Sequence, residues 1–200
     1  MANIDLIDIG SGNIGSLLSS LSKVKAKVNL CRSISDLKND KLILPGVGSF
    51  NTFMKKLKKN KIDRYIFNLI ENKKPILGIC VGYQVLFSSS EEDGYSEGLK
   101  IFKGNFKKID NNMPIPHVGW NSCNFKKKNK LFNGIKDNTD FYFTHSYILE
   151  KFQKKNIATF TKYKTNFPSS VTHENIFGVQ FHPEKSQYAG LKILENFLKI

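Results

Sequence analysis

The chain has 200 residues, 40% of them hydrophobic, and its 31 Lys and Arg residues against 17 Asp and Glu residues give a formal net charge of +14. This length and composition suit one domain over residues 1–200. The sequence has neither an apolar run near the ~18 residues that span a bilayer nor a signal-peptide pattern, which predicts a cytoplasmic protein with no membrane contact. Three cysteines at wide spacing exclude both a disulfide framework and a Cys-x-x-Cys zinc site.

The first half of the chain alternates short apolar runs with helical patterns. This alternation is typical of an α/β fold built on a mostly parallel sheet. The predicted elements are a strand at 4–9, a helix at 14–24, strands at 28–31 and 41–44, helices within 50–72, a strand at 76–79 and a helix directly after it.

The second half has many strand patterns and few helices, which predicts additional mixed or antiparallel strands. A final amphipathic helix at 189–198 has Leu191, Leu194 and Leu198 at the spacing of a buried stripe. The predicted strands are 99–109, 117–125, 141–148, 157–163 and 176–181.

Cys80 lies in Gly78-Ile79-Cys80-Val81-Gly82, where the strand at 76–79 meets the following helix. A sharp strand-to-helix turn needs small residues on both sides, and the reactive atom at its apex projects into open space. Free N–H groups at the start of the helix favour the thiolate, which is the attacking form of cysteine. The pattern predicts a nucleophile, although a free cysteine taken alone is more often a small buried hydrophobe.

Two further candidates lie about 100 residues later, in Phe181-His182-Pro183-Glu184. Taken singly, His182 could end a strand and Glu184 could cap a helix. Together with Cys80 they supply the base and the orienting acid of a nucleophilic triad, which is the interpretation we prefer. Cys31 and Cys123 lie in apolar-alternating stretches and are predicted to be core residues.

A different function is indicated by Gly10-Ser11-Gly12-Asn13-Ile14-Gly15, which matches the G-x-G-x-x-G fingerprint of dinucleotide-binding proteins. That fingerprint also requires an Asp or Glu about 20 residues further on, where this chain has Arg32. Arg32 suits a 2′-phosphate, so NADP binding stays open as a remote alternative. The simpler interpretation is a glycine-rich turn through which a strand enters a helix.

The excess of positive charge also raises the question of nucleic-acid binding. Arg32 and Arg64 are the only arginines, and no aromatic residues interleave with the lysine runs at 55–59 and 126–128. Arginine is the preferred reader of phosphates and bases, and single-strand binding needs stacking platforms. The sequence therefore predicts no nucleic-acid partner.

Several motifs resemble those of the class I glutamine amidotransferases, and the likeness runs from end to end of the chain. They are Pro45-Gly46-Val47-Gly48, Gly78-Ile-Cys-Val-Gly-Tyr-Gln84 and Phe181-His-Pro-Glu184. A narrower likeness, to the glutaminase subunits of imidazole glycerol phosphate synthases, is carried by Pro116-His-Val-Gly-Trp-Asn121 and His145-Ser146-Tyr147.

The resemblance implies a three-layer, flavodoxin-like α/β fold and a glutaminase that uses Cys80, His182 and Glu184 without a metal or cofactor. It places His117 and His145 on the side that faces a partner, whereas His173 is interpreted as a solvent-exposed loop residue. The implied oxyanion donors are backbone N–H groups of Val47, Gly48 and Val81. The implied contacts with L-glutamine are Gly48, Gln84, Glu92, Ser146 and Tyr147.

The resemblance also implies a heterodimer. The chain shows no evident site for a phosphorylated sugar, so the ammonia would pass to a (β/α)8-barrel cyclase subunit that makes imidazole glycerol phosphate and AICAR, an aminoimidazole carboxamide ribotide, in histidine biosynthesis. Rotation of the turn with Gly46 and Gly48 would couple the glutaminase to that partner. A paralogous glutaminase subunit that feeds a different sugar or nucleotide acceptor stays open as the alternative.

Overall fold

The computed structural model describes residues 2–10, 14–110, 114–127 and 129–200 of the chain. Within these ranges the strands, in chain order, are β1 (Asn3–Ile7), β2 (Lys27–Cys31), β3 (Leu42–Leu44), β4 (Ile76–Ile79), β5 (Ser89–Ser90), β6 (Ser96–Glu97), β7 (Asn105–Lys108), β8 (His117–Phe125), β9 (Thr139–His145), β10 (Tyr147–Glu150), β11 (Ile157–Tyr163), β12 (Thr165–His173) and β13 (Ile176–Val179). The helices are α1 (Ile14–Lys23), α2 (Phe50–Lys59), α3 (Ile62–Glu71), α4 (Val81–Gln84) and α5 (Gln187–Lys199).

The larger sheet has the strand order β2-β1-β3-β4-β13-β12-β11-β8-β9. Strands β2, β1, β3, β4 and β13 pair in parallel, and the remaining pairs, from β13 to β9, are antiparallel. The prediction of a mostly parallel first half followed by antiparallel strands is therefore confirmed. A smaller sheet of described strands has the order β10-β7-β5-β6.

The parallel strands in the centre of the sheet are buried along their whole length. Every residue of β3, β4 and β13 is buried. A parallel strand covered by helices on both faces reads as a continuous apolar run rather than an alternating one, which is why these short runs were recognisable. Cys31 and Cys123 are fully buried, as predicted for core residues.

Strand β12 was not predicted, because its sequence is polar and contains Pro168. It nevertheless lies inside the larger sheet, where the hydroxyl groups of Ser169 and Ser170 are satisfied by a neighbouring side chain. Thr159 Oγ1 lies 2.8 Å from Ser169 Oγ and 2.7 Å from Ser170 Oγ. Pro168 sits beside an irregularity in the ladder to β11, a position where a missing N–H is tolerated.

The predicted strand at 99–109 is wrong in its first half. Only β7 is extended there, because the N–H groups of Leu99 and Ile101 donate to the carbonyls of Val85 and Leu86 after the short helix α4. The predicted strand at 141–148 is two strands that break at Ser146 and join different sheets.

The helices predicted within 50–72 are two, α2 and α3, separated at Lys61 with its left-handed φ of 57°. The final helix is confirmed, but its buried face is rotated from the prediction. Of the predicted stripe only Leu194 is buried, together with Gly190, Ile193 and Phe197 on the same face.

Within the described ranges, no helix combines the length and the apolar character needed to cross a membrane.

Candidate active site

Cys80 stands at the apex of the turn from β4 to α4, with φ 52° and ψ −108°. A positive φ is strained for a residue with a side chain, and such strain persists only where the surroundings enforce it. The enforcing contacts are tight, since a Cβ on Gly78 would lie 2.5 Å from Gly82 O, and a Cβ on Gly82 would lie 1.8 Å from Leu44 O. Glycine is therefore required on both sides of the cysteine, as the elbow motif predicts.

Helix α4 has only four residues, so its dipole is small. What it supplies is the N–H of Val81, which as the first helical residue has no acceptor within the helix. That free N–H lies directly beside the sulfur-bearing residue.

His182 reaches the cysteine because β13 is the parallel neighbour of β4. Val179 is the register partner of Ile79, and the N–H of Cys80 donates to Val179 O at 2.8 Å. The carboxyl ends of adjacent parallel strands emerge at one edge of the sheet, so Cys80 and His182 leave the sheet side by side. The structure thus brings together two residues that are about 100 positions apart in the sequence.

Hydrogen bonds hold both the imidazole and the backbone of His182. Its Nδ1 lies 2.8 Å from Glu184 Oε1, and its backbone N–H donates to Tyr142 O at 2.8 Å. Ser186 completes the support, since its hydroxyl donates to His182 O at 2.6 Å and accepts from the Tyr142 N–H at 2.9 Å. Glu184 can only accept, so Nδ1 carries the proton and Nε2 is directed toward the cysteine side.

Charge interactions set the protonation of His182. Burial of the imidazole opposes its charge, but the Cys80 thiolate and Glu184 outweigh this and raise the pKa of His182 to about 10. The buried Nε2 makes no hydrogen bond of ordinary geometry to any described group. Catalytic hydrogen bonds are often long in a free enzyme and tighten when substrate binds, and the strong charge coupling to Cys80 fits that situation.

A pocket of about 250 Å³ opens above Cys80. It contains all the residues that the sequence analysis assigned to glutamine binding and to the oxyanion hole. Cys80 lines this pocket, although only 4% of the residue is exposed. The lining residues are Val47, Gly48, Cys80, Val81, Gln84, Glu92, Pro116, Thr144, His145, Ser146 and Tyr147.

The turn that carries Val47 and Gly48 follows β3, the other parallel neighbour of β4. Gly46 packs against the elbow so closely that a Cβ there would lie 2.7 Å from Val81 Cβ. Gly48 has a φ of +116° with open space around its Cα, a conformation that favours glycine. One glycine permits the close approach and the other permits the backbone conformation at the pocket wall.

Two of the predicted glutamine contacts already have protein partners. Gln84 is buried, and its amide Nε2 donates to Gln180 Oε1 at 3.1 Å. Glu92 Oε2 accepts the backbone N–H of Phe50 at 2.7 Å, at the start of α2. Burial raises the pKa of Glu92, against the opposing effect of that hydrogen bond.

His117 and His145 are buried and do not form an exposed surface. His145 Nδ1 lies 2.9 Å from Tyr147 O and its Nε2 lies 3.0 Å from His117 Nδ1. Burial lowers the pKa of His117 to about 4 and that of His145 to about 3, so both rings are neutral. His173 is exposed as predicted, but it ends strand β12 and is not in a loop.

Pro116 and Thr144 also line the pocket, and Gln180 Nε2 lies 3.7 Å from Cys80 Sγ, although none of these three residues was predicted to belong to the site. A signal for Gln180 was present. It is two residues before His182 in an extended segment, and residues at that spacing share one face.

The glycine-rich first turn offers little support for a nucleotide site. Gly12 of the G-x-G-x-x-G pattern lies outside the described residues. Arg32, proposed for a 2′-phosphate, is paired with the carboxylate of Asp8 at 3.2 Å, and this carboxylate would repel a phosphate. Among the described residues no group of three or more His, Cys, Asp or Glu side chains is arranged to hold a metal ion.

The sequence and the fold were compared with those of known proteins. The family model of the class-I glutamine amidotransferases matches residues 5–200. The imidazole glycerol phosphate synthase subunit HisH of Pelagibacter ubique is 44% identical over 99% of this chain and all of its own length. Subunit HisH 2 of Methanococcus maripaludis is 43% identical over 98% of each chain.

Two solved structures share the fold at low sequence identity. PurLQS from Thermotoga maritima superposes with a TM-score of 0.78 at 17% identity, over 100% of this chain and 99% of that one. A putative GMP synthase subunit from Thermoplasma acidophilum gives 0.72 at 22% identity, over 100% and 93%. The full-length sequence match and this likeness of fold lead to one conclusion: the chain belongs to the class I glutamine amidotransferase family.

Proposed function

We propose that this chain is the glutaminase subunit of an imidazole glycerol phosphate synthase. It would hydrolyse L-glutamine to glutamate and ammonia with Cys80, His182 and Glu184 as its triad. The observation that carries this proposal is the exit of Cys80 and His182 from the adjacent parallel strands β4 and β13, with Glu184 on the far side of the imidazole. Relatives over 40% identical across almost the whole chain are subunits of that synthase, which favours the same acceptor over a paralogous one.

In the first half-reaction the Cys80 thiolate attacks the side-chain carboxamide carbon of glutamine. The carbonyl π electrons move to oxygen, and a tetrahedral intermediate forms. Because the thiolate and Glu184 raise the pKa of His182, the imidazole is protonated while the sulfur is ionised. It gives its Nε2 proton to the leaving nitrogen, so ammonia departs and a γ-glutamyl thioester remains on the sulfur.

The oxyanion of the intermediate requires donors that are already in place. The N–H of Val81 is one candidate, because its position at the start of α4 leaves it without a helical acceptor. The second would come from the Val47–Gly48 turn on the opposite pocket wall. Removal of a single donor of this kind costs about 3 kcal/mol in other enzymes.

The amino-acid end of glutamine would lie among Gln84, Glu92, Ser146 and Tyr147, together with Gly48. The Glu92 carboxylate suits the α-ammonium group, because opposite charges attract strongly in a partly dry pocket. Pairing with that ammonium would also offset the burial that raises the pKa of Glu92.

In the second half-reaction a water molecule attacks the thioester carbon. His182, now neutral, takes a proton from this water, and the Cys80 thiolate leaves as glutamate is released. Glu184 keeps the Nδ1 proton in place throughout and stabilises the imidazolium each time it forms. Sulfur, imidazole and carboxylate end in the state in which they began.

The ammonia acceptor would be a separate (β/α)8-barrel cyclase subunit bound as a heterodimer. The whole chain, residues 1–200, would then act as one glutaminase domain. No metal or cofactor is needed for any step written above, since each is a proton transfer or an acyl transfer to sulfur or water.

The test is glutamine hydrolysis by the purified chain, with and without a candidate barrel cyclase. We expect weak activity alone, strong stimulation by the cyclase and complete loss in Cys80→Ala. Cys123→Ala is the matched control, because it removes a buried thiol outside the pocket. Full activity in Cys80→Ala would overturn the proposed triad. If none of the candidate barrel cyclases changes the rate of the chain, the proposed partner would be overturned.

A further inference from the structure

Gln180 is a buried polar side chain that directly contacts the nucleophile. It follows β13, is 1% exposed, and is anchored by a backbone hydrogen bond from its N–H to Ser169 O at 2.9 Å. Its amide Nε2 lies 3.7 Å from Cys80 Sγ. A buried amide beside a reactive sulfur is costly unless its hydrogen bonds are used, so its placement calls for an explanation.

The orientation of this amide follows from its two neighbours. Gln84 Nε2 donates to Gln180 Oε1 at 3.1 Å, which leaves the Gln180 NH₂ group directed at the sulfur. A thiolate can only accept hydrogen bonds, so the NH₂ group is the end of the amide that matches the attacking form of the cysteine. The Gln84–Gln180–Cys80 chain is therefore polarised toward the sulfur.

A second group near the sulfur favours the opposite protonation state. Thr144 O lies 3.9 Å from Cys80 Sγ and can interact favourably only with a protonated thiol. The sulfur thus has a carbonyl that prefers the thiol on one side and an amide that prefers the thiolate on the other. The amide N–H offsets the carbonyl.

We infer that Gln180 is a catalytic residue of this site, which donates a hydrogen bond to the Cys80 thiolate and stabilises it alongside the His182 imidazolium. This inference rests on the proposed glutaminase function and adds a fourth side chain to its chemistry. Hydrogen bonds to charged groups are stronger than neutral ones, although sulfur is a weak acceptor and 3.7 Å is long. We therefore expect an effect of about tenfold on the thiol–thiolate equilibrium, which is one pKa unit.

Other titratable groups around the pocket also influence the ionisation of Cys80, and they are identical in the wild type and the Gln180 variants. The described ones are His182 with Glu184 after β13, His145 at the end of β9, Tyr147 at the start of β10, and Glu92 near the start of α2.

The experiment measures the rate of Cys80 alkylation by iodoacetamide as a function of pH, with the modified peptide identified by mass spectrometry. It compares the wild-type chain with Gln180→Met, which keeps the length of the side chain but has no N–H. The midpoint should move up by about one pH unit in Gln180→Met. In Gln180→Glu, which puts a carboxylate beside the sulfur, it should move further in the same direction.

Gln153→Met is the matched control, because Gln153 is exposed and does not line the pocket, and its profile should equal the wild-type one. Circular dichroism checks that each variant is folded, and Gln180→Leu, which also lacks an N–H, replaces Gln180→Met if that variant unfolds. An unchanged midpoint in a folded Gln180 variant would overturn the inference, even if that variant binds glutamine more weakly. The alkylation profile does not depend on glutamine turnover, so failure of the proposed function would show separately, as an inactive wild-type chain.

Discussion

The contribution of Glu184 can be isolated with Glu184→Gln, which keeps the shape of the side chain and removes its charge. Glu184 Oε1 lies 2.8 Å from His182 Nδ1, and the two side chains are 8% and 1% exposed, so solvent barely screens the pair. A hydrogen bond to a charged group contributes about 1.5–3 kcal/mol, and burial favours the upper part of that range. The glutamine variant also places an NH₂ group or a neutral oxygen where Glu184 Oε2 now has no partner among the described residues.

We therefore expect kcat to fall by ~30- to ~150-fold in Glu184→Gln, since each 1.36 kcal/mol is one factor of ten. The pKa of His182 should fall as well, because Glu184 is one of the groups that raises it, and an NMR titration of the imidazole measures this. Steady-state glutamine hydrolysis in the presence of the proposed cyclase subunit gives kcat. Glu174→Gln, in the exposed turn between β12 and β13, is the matched control and should leave both quantities unchanged.

The double variant His182→Ala/Glu184→Gln decides whether Glu184 acts through the imidazole. If it does, the double variant should be no slower than His182→Ala alone, because residues that act as a unit are strongly non-additive. Activity in Glu184→Gln within twofold of wild type would refute the orienting role. Additive losses in the double variant would show that Glu184 acts on something other than His182.

Three further predictions follow from the surroundings of the site. Because the pKa of His145 is lowered, its neutral ring contributes stability that is complete above about pH 6.5 and is lost as the pH falls toward 3. The free energy of unfolding, measured with urea, should therefore decrease less over that pH range in His145→Gln than in the wild type. Burial and nearby carboxylates raise the pKa of Cys31 to about 12, so at pH 8 only about one such thiol in 10⁴ is ionised, and peptide mapping should find Cys80 alkylated long before Cys31. Gly82→Ala puts a Cβ 1.8 Å from Leu44 O, so the elbow must move; activity should fall by more than tenfold, and wild-type activity in this variant would contradict the model of the turn.

The proposed triad could be assembled from the sequence because each of its residues belongs to a local pattern. Gly78 and Gly82 mark the elbow around Cys80, and a proline follows His182 directly. What the sequence could not provide was the pairing of β4 with β13, since nothing in either strand specifies its neighbour. The meeting of cysteine and histidine was therefore an inference from their chemistry, and the sheet order explains it.

The errors have a common physical origin, which is that local patterns are overridden by tertiary partners. Strand β12 looks like a loop because its Ser and Thr residues are polar, but the hydroxyls of Ser169 and Ser170 are satisfied inside the sheet by Thr159. The stretch that begins at Leu99 looks like a strand because it is apolar, but its N–H groups donate hydrogen bonds to the carbonyls of Val85 and Leu86 after α4. Gln180 has the spacing from His182 that places it on the same face, but only the fold shows that its amide contacts Cys80.

The location of the site within the sheet accounts for how a strained nucleophile can be maintained. Strand β13 pairs in parallel with β4 and antiparallel with β12, so it joins the two halves of the larger sheet. The backbone N–H of Cys80 donates a hydrogen bond to Val179 O at the end of β13, and Gln180 and His182 come directly after that strand. A backbone with a positive φ needs rigid surroundings, and the two fully buried central strands provide them. One strand pair thus positions the backbones that carry the sulfur, its amide donor and its imidazole partner, so separation of these backbones requires movement of the centre of the sheet rather than of a surface loop.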